Sequence, residues 1–484
     1  MAQRKVQAES VQESLWLHRV PKAARAEDGR SRREAVPLEA HAELSLPATR
    51  ASALSILRAQ DANRVQTLIP IRYGRMLATP FTYLRGSAGV MGADLAAGPR
   101  TDLQVQLCGD AHLSNFGLFA APDRRLLFDL NDFDETIAGP FEWDVKRLAA
   151  SVVVAGRNNG FSSKECRTAA RSAVGSYRSA LAVAAAMNPL ELFFHRFEFD
   201  DLVAGMSGGS LSKEKTAKKV KEVKEKASRK NSLGALSKLT EVVEGRRMIL
   251  HRPPLVERLA DDRRAAALEQ IGALFDEYRS TLTPDRRMLL DRYSLVDIAL
   301  KVVGVGSVGT RCFIALFESG DGEPLFLQLK EATASVLEPY LEAKAFPQAG
   351  QRVVAGQRLI QAAPDAFLGS GRFNRPKGVE SQWGGTESID FYFRQLWDGK
   401  FSATVETMAP ETLTRYAGWC GSAVARAHAR SGDAAMISGY LGDDSTFDKA
   451  VATFAEAYAD QTNIDHTELL AAVAAGEITV ERDV

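Results

Sequence analysis

Two short stretches of the chain carry the side chains from which chemistry is expected. The first is Gly109-Asp110-Ala111-His112-Leu113-Ser114-Asn115, followed at the end of the next apolar run by Asn131-Asp132-Phe133-Asp134-Glu135. An Asp with an Asn five residues on, and then an Asp closing the next strand, is the set that phosphoryl transfer to a hydroxyl requires. Asp110 would accept or orient the hydroxyl proton, the Asn115 amide oxygen would hold a Mg²⁺, and Asp132 would bridge that Mg²⁺ to nucleotide phosphates. Asp134 is a second candidate for the metal role, and the sequence does not choose between the two. The competing reading is structural, because Asp and Asn are common turn residues and Gly109-Asp110 would also terminate a strand.

The second stretch is Gly304-Val305-Gly306-Ser307-Val308-Gly309, with Lys330 at the end of a later alternating run. A dinucleotide fingerprint needs a helix after its glycines, whereas RCFIALFE (311–318) reads as a strand. A glycine-rich turn between two strands instead suits a loop that closes over the phosphates of ATP, since glycine lets the backbone approach them. Lys330 would then reach the α- and β-phosphates. A glutamate on the following helix, SVLEPYLEAKAF (335–346), would pair with it, with Glu338 the first choice and Glu342 the reserve. A plain hairpin with a surface lysine is the alternative.

The elements that must position these groups follow from hydrophobic period. Residues 1–45 read as a poorly ordered polar leader with some helix and a basic cluster at Lys22, Arg25, Arg30, Arg32 and Arg33. Residues 46–295 read as a helical unit into which a small β-rich, carboxylate-rich centre (102–134) brings the two Asp motifs. Residues 296–398 read as strands, ALKVVGVGSVGT, RCFIALFE, EPLFLQLKEA and FYFRQLWD, with a hairpin signal at SGDG (319–322) and a glycine-rich loop at 369–385. Residues 399–484 read as helices packing on the larger unit.

Composition bounds the rest. A length of 484 residues with 45% hydrophobic and 25% charged side chains supports two or three domains or one large two-lobed fold with a real core. Equal totals of 61 basic and 61 acidic residues give no net field toward nucleic acid or an anionic membrane, so any anion site is local. The lysine-rich run 213–230 has no aromatic residues interleaved for base stacking and reads as a solvated helix face. Four dispersed cysteines without a C-x-x-C pair argue against a zinc ribbon or a disulfide framework. With no apolar run near 20 residues and no apolar secretory core at the start, a cytoplasmic location is expected.

The motifs CGDAHLSNFG, FDLNDFDE and GPFEWDVKRLAAS resemble the catalytic-loop, metal-loop and following-helix motifs of the aminoglycoside phosphotransferase branch of the protein-kinase-like superfamily. The run from RYGRMLATPFTYLRG through GPFEWDVKRLAAS, with LQLKEA, FYFRQL, ARAHARSGD and YADQ later, more closely resembles the uncharacterised bacterial family called domain of unknown function 2252, over most of the chain beyond about residue 45. The first resemblance implies Asp110 at the catalytic-base position, Asn115 and Asp132 at the metal positions, Lys330 at the phosphate-binding lysine, Gly304, Gly306 and Gly309 in the nucleotide loop, and Asp144 bracing the catalytic loop. Two features depart from it. Cys108 stands where the pattern has His, and the glycine loop and Lys330 follow the catalytic Asp instead of preceding it.

The expectation is therefore a mixed α/β (α+β), protein-kinase-like, two-lobed fold, circularly permuted, with a helix-rich large lobe, an antiparallel β small lobe, and ATP and Mg²⁺ in the cleft. The function expected is phosphotransfer to a hydroxyl of an unknown acceptor, small molecule or protein. A nucleotide-binding pseudokinase with a regulatory role is the alternative. A two-metal phosphoesterase, suggested by the Asp110-x-His112 pair, is a third reading, but the remaining histidines are scattered, and His428 reads as a structural hydrogen-bonding residue. Ser/His/Asp chemistry has no G-x-S-x-G to stand on.

Overall fold

A computed structural model describes residues 20–204, 221–227, 229, 231–259, 261–342, 345–375, 385–396 and 399–482. Helix α1 (Lys22–Ser31) precedes four short helices, α2 (Ala53–Asp61), α3 (Ile69–Leu77), α4 (Pro80–Gly86) and α5 (Ala88–Ala96). Four strands follow, β1 (Gln104–Leu107), β2 (Phe116–Ala120), β3 (Leu126–Leu130) and β4 (Ile137–Pro140), and then the long helices α6 (Glu142–Asn158) and α7 (Ser163–Ala186). A hairpin, β5 (Thr240–Val243) and β6 (Arg246–Ile249), leads to β7 (Val256–Arg258), α8 (Asp261–Ser280), β8 (Tyr293–Lys301), β9 (Cys312–Ser319) and β10 (Pro324–Ala332). Helix α9 (Ala349–Ile360), β11 (Gly369–Asn374), β12 (Ser388–Gln395) and the short β13 (Phe401–Ser402) come next, and α10 (Pro410–Ser431), α11 (Ala434–Leu441) and α12 (Thr446–Ala474) close the chain. No described helix is long and apolar enough to cross a membrane.

The architecture is mixed α/β with antiparallel sheets. Strands β7 to β12 form a six-stranded sheet in the order β11-β12-β10-β9-β8-β7. Side chains alternate along β10 as the pleat requires. Leu325, Leu327 and Leu329 enter an apolar cluster with Leu274, Phe275 and Tyr278 of α8, and the Tyr278 ring stacks on Phe393 at 4.0 Å. Phe326, on the other face, packs with Ile314 and Leu316, which leaves Gln328 and Lys330 on that same face. Period two thus turns Lys330 away from α8.

The larger core joins α6, α7, α10 and α12 to the two small sheets, β1-β4 and β13-β2-β3. Helix α7 starts at a capping box, with Ser162 Oγ accepting the Glu165 N–H while the Glu165 carboxylate accepts the Ser162 N–H. Its small residues Ala169, Ala170 and Ala173 are fully buried.

Several expectations from sequence need correction. The boundary between helical and β-rich units does not fall at 295/296, because β7 pairs with β8 and α8 covers the six-stranded sheet. Residues 22–45 are not loose: Arg25 pairs with Asp433 at 2.6 Å, Arg33 donates to the Tyr440 carbonyl at 2.7 Å, and His41 is buried against Tyr440. Residues 1–19 lie outside the described residues, as does most of the lysine-rich run 213–230; within it, Lys224 pairs with Asp200. The glycine-rich stretch expected as a loop at 369–385 opens with strand β11.

Candidate active site

The Gly109–Asn115 loop leaves β1 through Gly109, whose φ of +83° favours glycine. A Cβ there would lie 2.2 Å from the Glu135 carbonyl oxygen, so the two acidic loops touch backbone to backbone at this point. Asp144, in the first turn of α6, accepts the N–H groups of Cys108 (2.8 Å) and Gly109 (3.1 Å). His428 Nε2 is 3.2 Å from the same carboxylate, and its Nδ1 is 3.0 Å from the Tyr177 hydroxyl. Asp144 thus holds the backbone of the Cys108–Gly109 turn, and the buried His428 bridges Asp144 and Tyr177. Cys108, standing where the resembled pattern has His, is fully buried, and burial pushes its thiol well up.

Asp110 Oδ1 accepts two hydrogen bonds from Arg147, from Nε at 2.9 Å and Nη2 at 2.8 Å, and Oδ2 lies 3.6 Å from His112 Nε2. Burial raises the Asp110 carboxyl, and Arg147 opposes this, leaving a pKa of about 6. A carboxyl at that value suits a group that must take a proton near neutrality. His112 is kept neutral by burial first and then by the cations Arg85 and Arg147. The Asn115 amide nitrogen donates to the Asp110 carbonyl at 2.7 Å, which directs its oxygen, the end a cation would meet, away from that bond.

The acidic loop Asn131–Glu135 meets the sheet at Lys330. Lys330 Nζ lies 2.5 Å from Asp134 Oδ2 and 3.3 Å from Asp132 Oδ1, bridging 196 and 198 residues of chain. Asp134 is fully engaged: Oδ2 also accepts from Ser307 Oγ at 3.2 Å, and Oδ1 accepts from the Tyr392 hydroxyl at 2.7 Å. Burial alone would raise the Asp134 carboxyl, but Lys330, Tyr392 and Arg394 outweigh it and hold it at about 2. Asp132 is freer, with its side chain 32% exposed and its Lys330 contacts at 3.3 and 3.5 Å.

Among the described residues, no three His, Cys, Asp or Glu side chains gather closely enough to hold a metal on their own. That is compatible with Mg²⁺, which takes one or two protein oxygens and completes its shell with water and phosphate. Asp132 and the Asn115 amide oxygen fit this demand. Asp134, the other candidate from sequence, lines the same cavity, but it shares its oxygens with Lys330, Ser307 and Tyr392.

The glycine loop lies at the same place. Gly304 and Gly309 have φ of +68° and +90°, while the loop's carbonyls are tied down from the helical side. Arg75 donates to the Gly304 carbonyl (2.6 Å), Arg64 to those of Gly306 (2.9 Å) and Val308 (2.5 Å), and the Val65 N–H to that of Gly309 (2.8 Å). Gly306 and Ser307 then line a cavity of about 240 Å³ together with Asp110, Asn115, Asp132 and Asp134.

Glu338 is not part of this assembly. The helix expected after β10 is a three-residue 3-10 turn (Glu338–Tyr340), and Glu338 is exposed, as is Glu342. Lys330 finds its carboxylates on the Asn131–Glu135 loop instead. The next regular helix, α9, has no acidic residue; its Arg352 donates to the carbonyls of Asp134 and Thr136, anchoring that loop through its backbone.

Sequence reasoning missed Arg147, Tyr392, Ser307 and Arg352. Two left a signal. Asp144 and Arg147 stand three apart in EWDVKR, on neighbouring positions of one helix face, and FYFRQL alternates so that Tyr392 falls opposite Lys330 in the β10–β12 register.

The family model described as an uncharacterized protein conserved in bacteria (DUF2252) matches residues 64–472, an interval that contains every residue of this site. No curated protein and no solved structure matches the chain.

Proposed function

The chain belongs to that bacterial family, and we propose that its cleft binds ATP with Mg²⁺ and transfers the terminal phosphoryl group to a hydroxyl of an acceptor. The fold would be a two-lobed, protein-kinase-like one in permuted order, with the glycine hairpin and its lysine after the catalytic loop. One observation carries the proposal: Lys330 lies 3.3 Å from Asp132 across 198 residues, and Asp132 lines the same cavity as Asp110 and Asn115. Unrelated motifs have no reason to converge in this way.

In this reading Asp132 and Asn115 hold the Mg²⁺, which offsets phosphate charge. Lys330, which pairs with Asp132 and Asp134, would supply positive charge toward the inner phosphates, and the glycine loop would cover them. The acceptor oxygen bonds to the terminal phosphorus as the bridging P–O bond breaks. The bond pair leaves with ADP, and the hydroxyl proton passes to Asp110.

The two Arg147 hydrogen bonds on Asp110 favour one second reading, a regulatory nucleotide binder, because an arginine-clamped carboxylate is a weaker base. Asp110→Asn separates the two, since it should abolish turnover and spare Mg-ATP binding; a wild type that consumes no ATP with any lysate fraction as acceptor favours the binder. The phosphoesterase has less support, since His112 is buried beside two arginines, a poor setting for a second cation. The proposal itself is tested by melting temperature. ATP should raise it only when Mg²⁺ is present, and an unchanged curve at millimolar Mg-ATP overturns both nucleotide readings.

A further inference from the structure

The charges that line the cavity mostly cancel in place. Asp110 is held by Arg147, Asp134 by Lys330 and Glu331 by Arg311, and Arg64 is spent on two loop carbonyls. Apart from the acids Asp132 and Glu135, the charge left over among the lining residues is Arg85, in the last turn of α4. Its Nε is buried with no hydrogen-bond partner, and among the described residues no ion pair involves it. Burial lowers its pKa, and the acids that oppose this, Glu406 and Asp110, are not in ion-pair contact with it, so this guanidinium in a cleft wall is left able to take an anion that arrives later.

The position of Arg85 says which anion. Its carbonyl oxygen backs the tip of the glycine loop, where a Cβ on Gly306 would stand 3.1 Å from it. The guanidinium is close enough to His112 and Asp110 to depress the pKa of each. Arg85 therefore spans the gap between the loop that would cover the phosphates and the carboxylate that would take the acceptor's proton. Lys330 is taken up by Asp132 and Asp134. The group that must cross that gap is the terminal phosphoryl group, and a guanidinium fork matches its oxygens.

We propose that Arg85 binds the terminal phosphate of the nucleotide, so that the site distinguishes a nucleoside triphosphate from its diphosphate. The assignment rests on the nucleotide reading above, and its test separates the two. Affinities of wild type, Arg85→Gln and Arg85→Lys for Mg-ADP and for the Mg complex of a non-hydrolysable ATP analogue are measured by titration calorimetry. Arg85→Gln should weaken the analogue by roughly 10- to 100-fold, as the loss of a hydrogen-bonded charge does, and leave ADP within about twofold. Arg85→Lys should recover part of the loss. Retained ADP affinity also shows that the variant is folded. Equal losses for both nucleotides, or no loss for the analogue, overturn the role of Arg85 while leaving the nucleotide site intact. A wild type that binds neither nucleotide overturns the nucleotide reading and this assignment with it.

Discussion

Two ion clusters tie distant parts of this chain together, and they are built to different ends. In the helical core, Arg50 is forked onto both Asp94 and Asp465 by four hydrogen bonds of 2.6 to 3.1 Å, and the Tyr458 hydroxyl and the Gln461 amide cap the same carboxylates. Both aspartates are only 2% exposed, and each accepts from Arg50 and from one further donor. In the cleft, Lys330 is equally buried, but its partners Asp132 and Asp134 are 32% and 24% exposed and open onto a cavity. The first cluster is closed and needs nothing further. The second has a buried cation and a carboxylate that is only loosely held, which is the condition for accepting a ligand.

That contrast can be broken by substitution. Arg50→Ala, which strands two buried carboxylates, should cost about 3–5 kcal/mol of stability in urea denaturation. A cost below about 1 kcal/mol would mean that the closed cluster is dispensable and the contrast misdrawn.

Asp132→Asn should do the reverse. The unliganded protein should keep its stability within about 1 kcal/mol, since the side chain is partly exposed. The increment from Mg-ATP, about 2.7 kcal/mol at 100 times Kd, should vanish. Lys330→Met should remove the same increment, and the two losses should not add in a double-mutant cycle; a sum additive within about 0.5 kcal/mol would assign the glycine hairpin to another site.

A third test uses pH on the closed side. His41 is buried, with Nε2 2.7 Å from the Tyr440 hydroxyl, and burial lowers its pKa to about 3. The unfolded chain binds this proton below about pH 6.5 and the folded one does not, so stability must fall as the pH drops from 6.5 toward 3. The decline from pH 7 to 5 should carry a His41 share on the order of 2 kcal/mol, which a neutral His41→Gln variant lacks. Parallel stability curves for the two proteins would count against it.

The smallest expected effect is at Glu338. Exposed on its 3-10 turn, it should tolerate Glu338→Gln with nucleotide affinity unchanged within about twofold, and a larger loss would return it to the site.

The parts of the site that could be read in advance are those whose chemistry is local. G-D-x-x-x-x-N and N-D-x-D announce themselves because a turn, an acceptor and a metal ligand must lie within a few residues of each other. The alternation of EPLFLQLKEA fixed Lys330 opposite its leucines before any strand was paired. The partner of Lys330 was misjudged for the complementary reason. A glutamate on the next helix was expected, but the segment after β10 forms only a 3-10 turn at Glu338–Tyr340, and the lysine reaches carboxylates almost 200 residues upstream. The boundary at 295/296 failed similarly: a three-residue strand such as β7 has no periodicity of its own and exists through its pairing with β8.

By itself, then, the sequence determined the identities and strand or loop settings of Asp110, Asn115, Asp132 and Lys330, because these depend on period and turn chemistry within about ten residues. Only the tertiary structure decided which charges are satisfied. Whether a carboxylate meets Arg147, Lys330 or open cavity depends on helices and strands folded from opposite ends of the chain, and ion pairing acts through space with no trace in local spacing. That is why Asp134 and Asp132, two residues apart in one motif, end with different partners, and why Arg85, to which the sequence reading gave no chemistry, faces the cavity without an ion-pair partner.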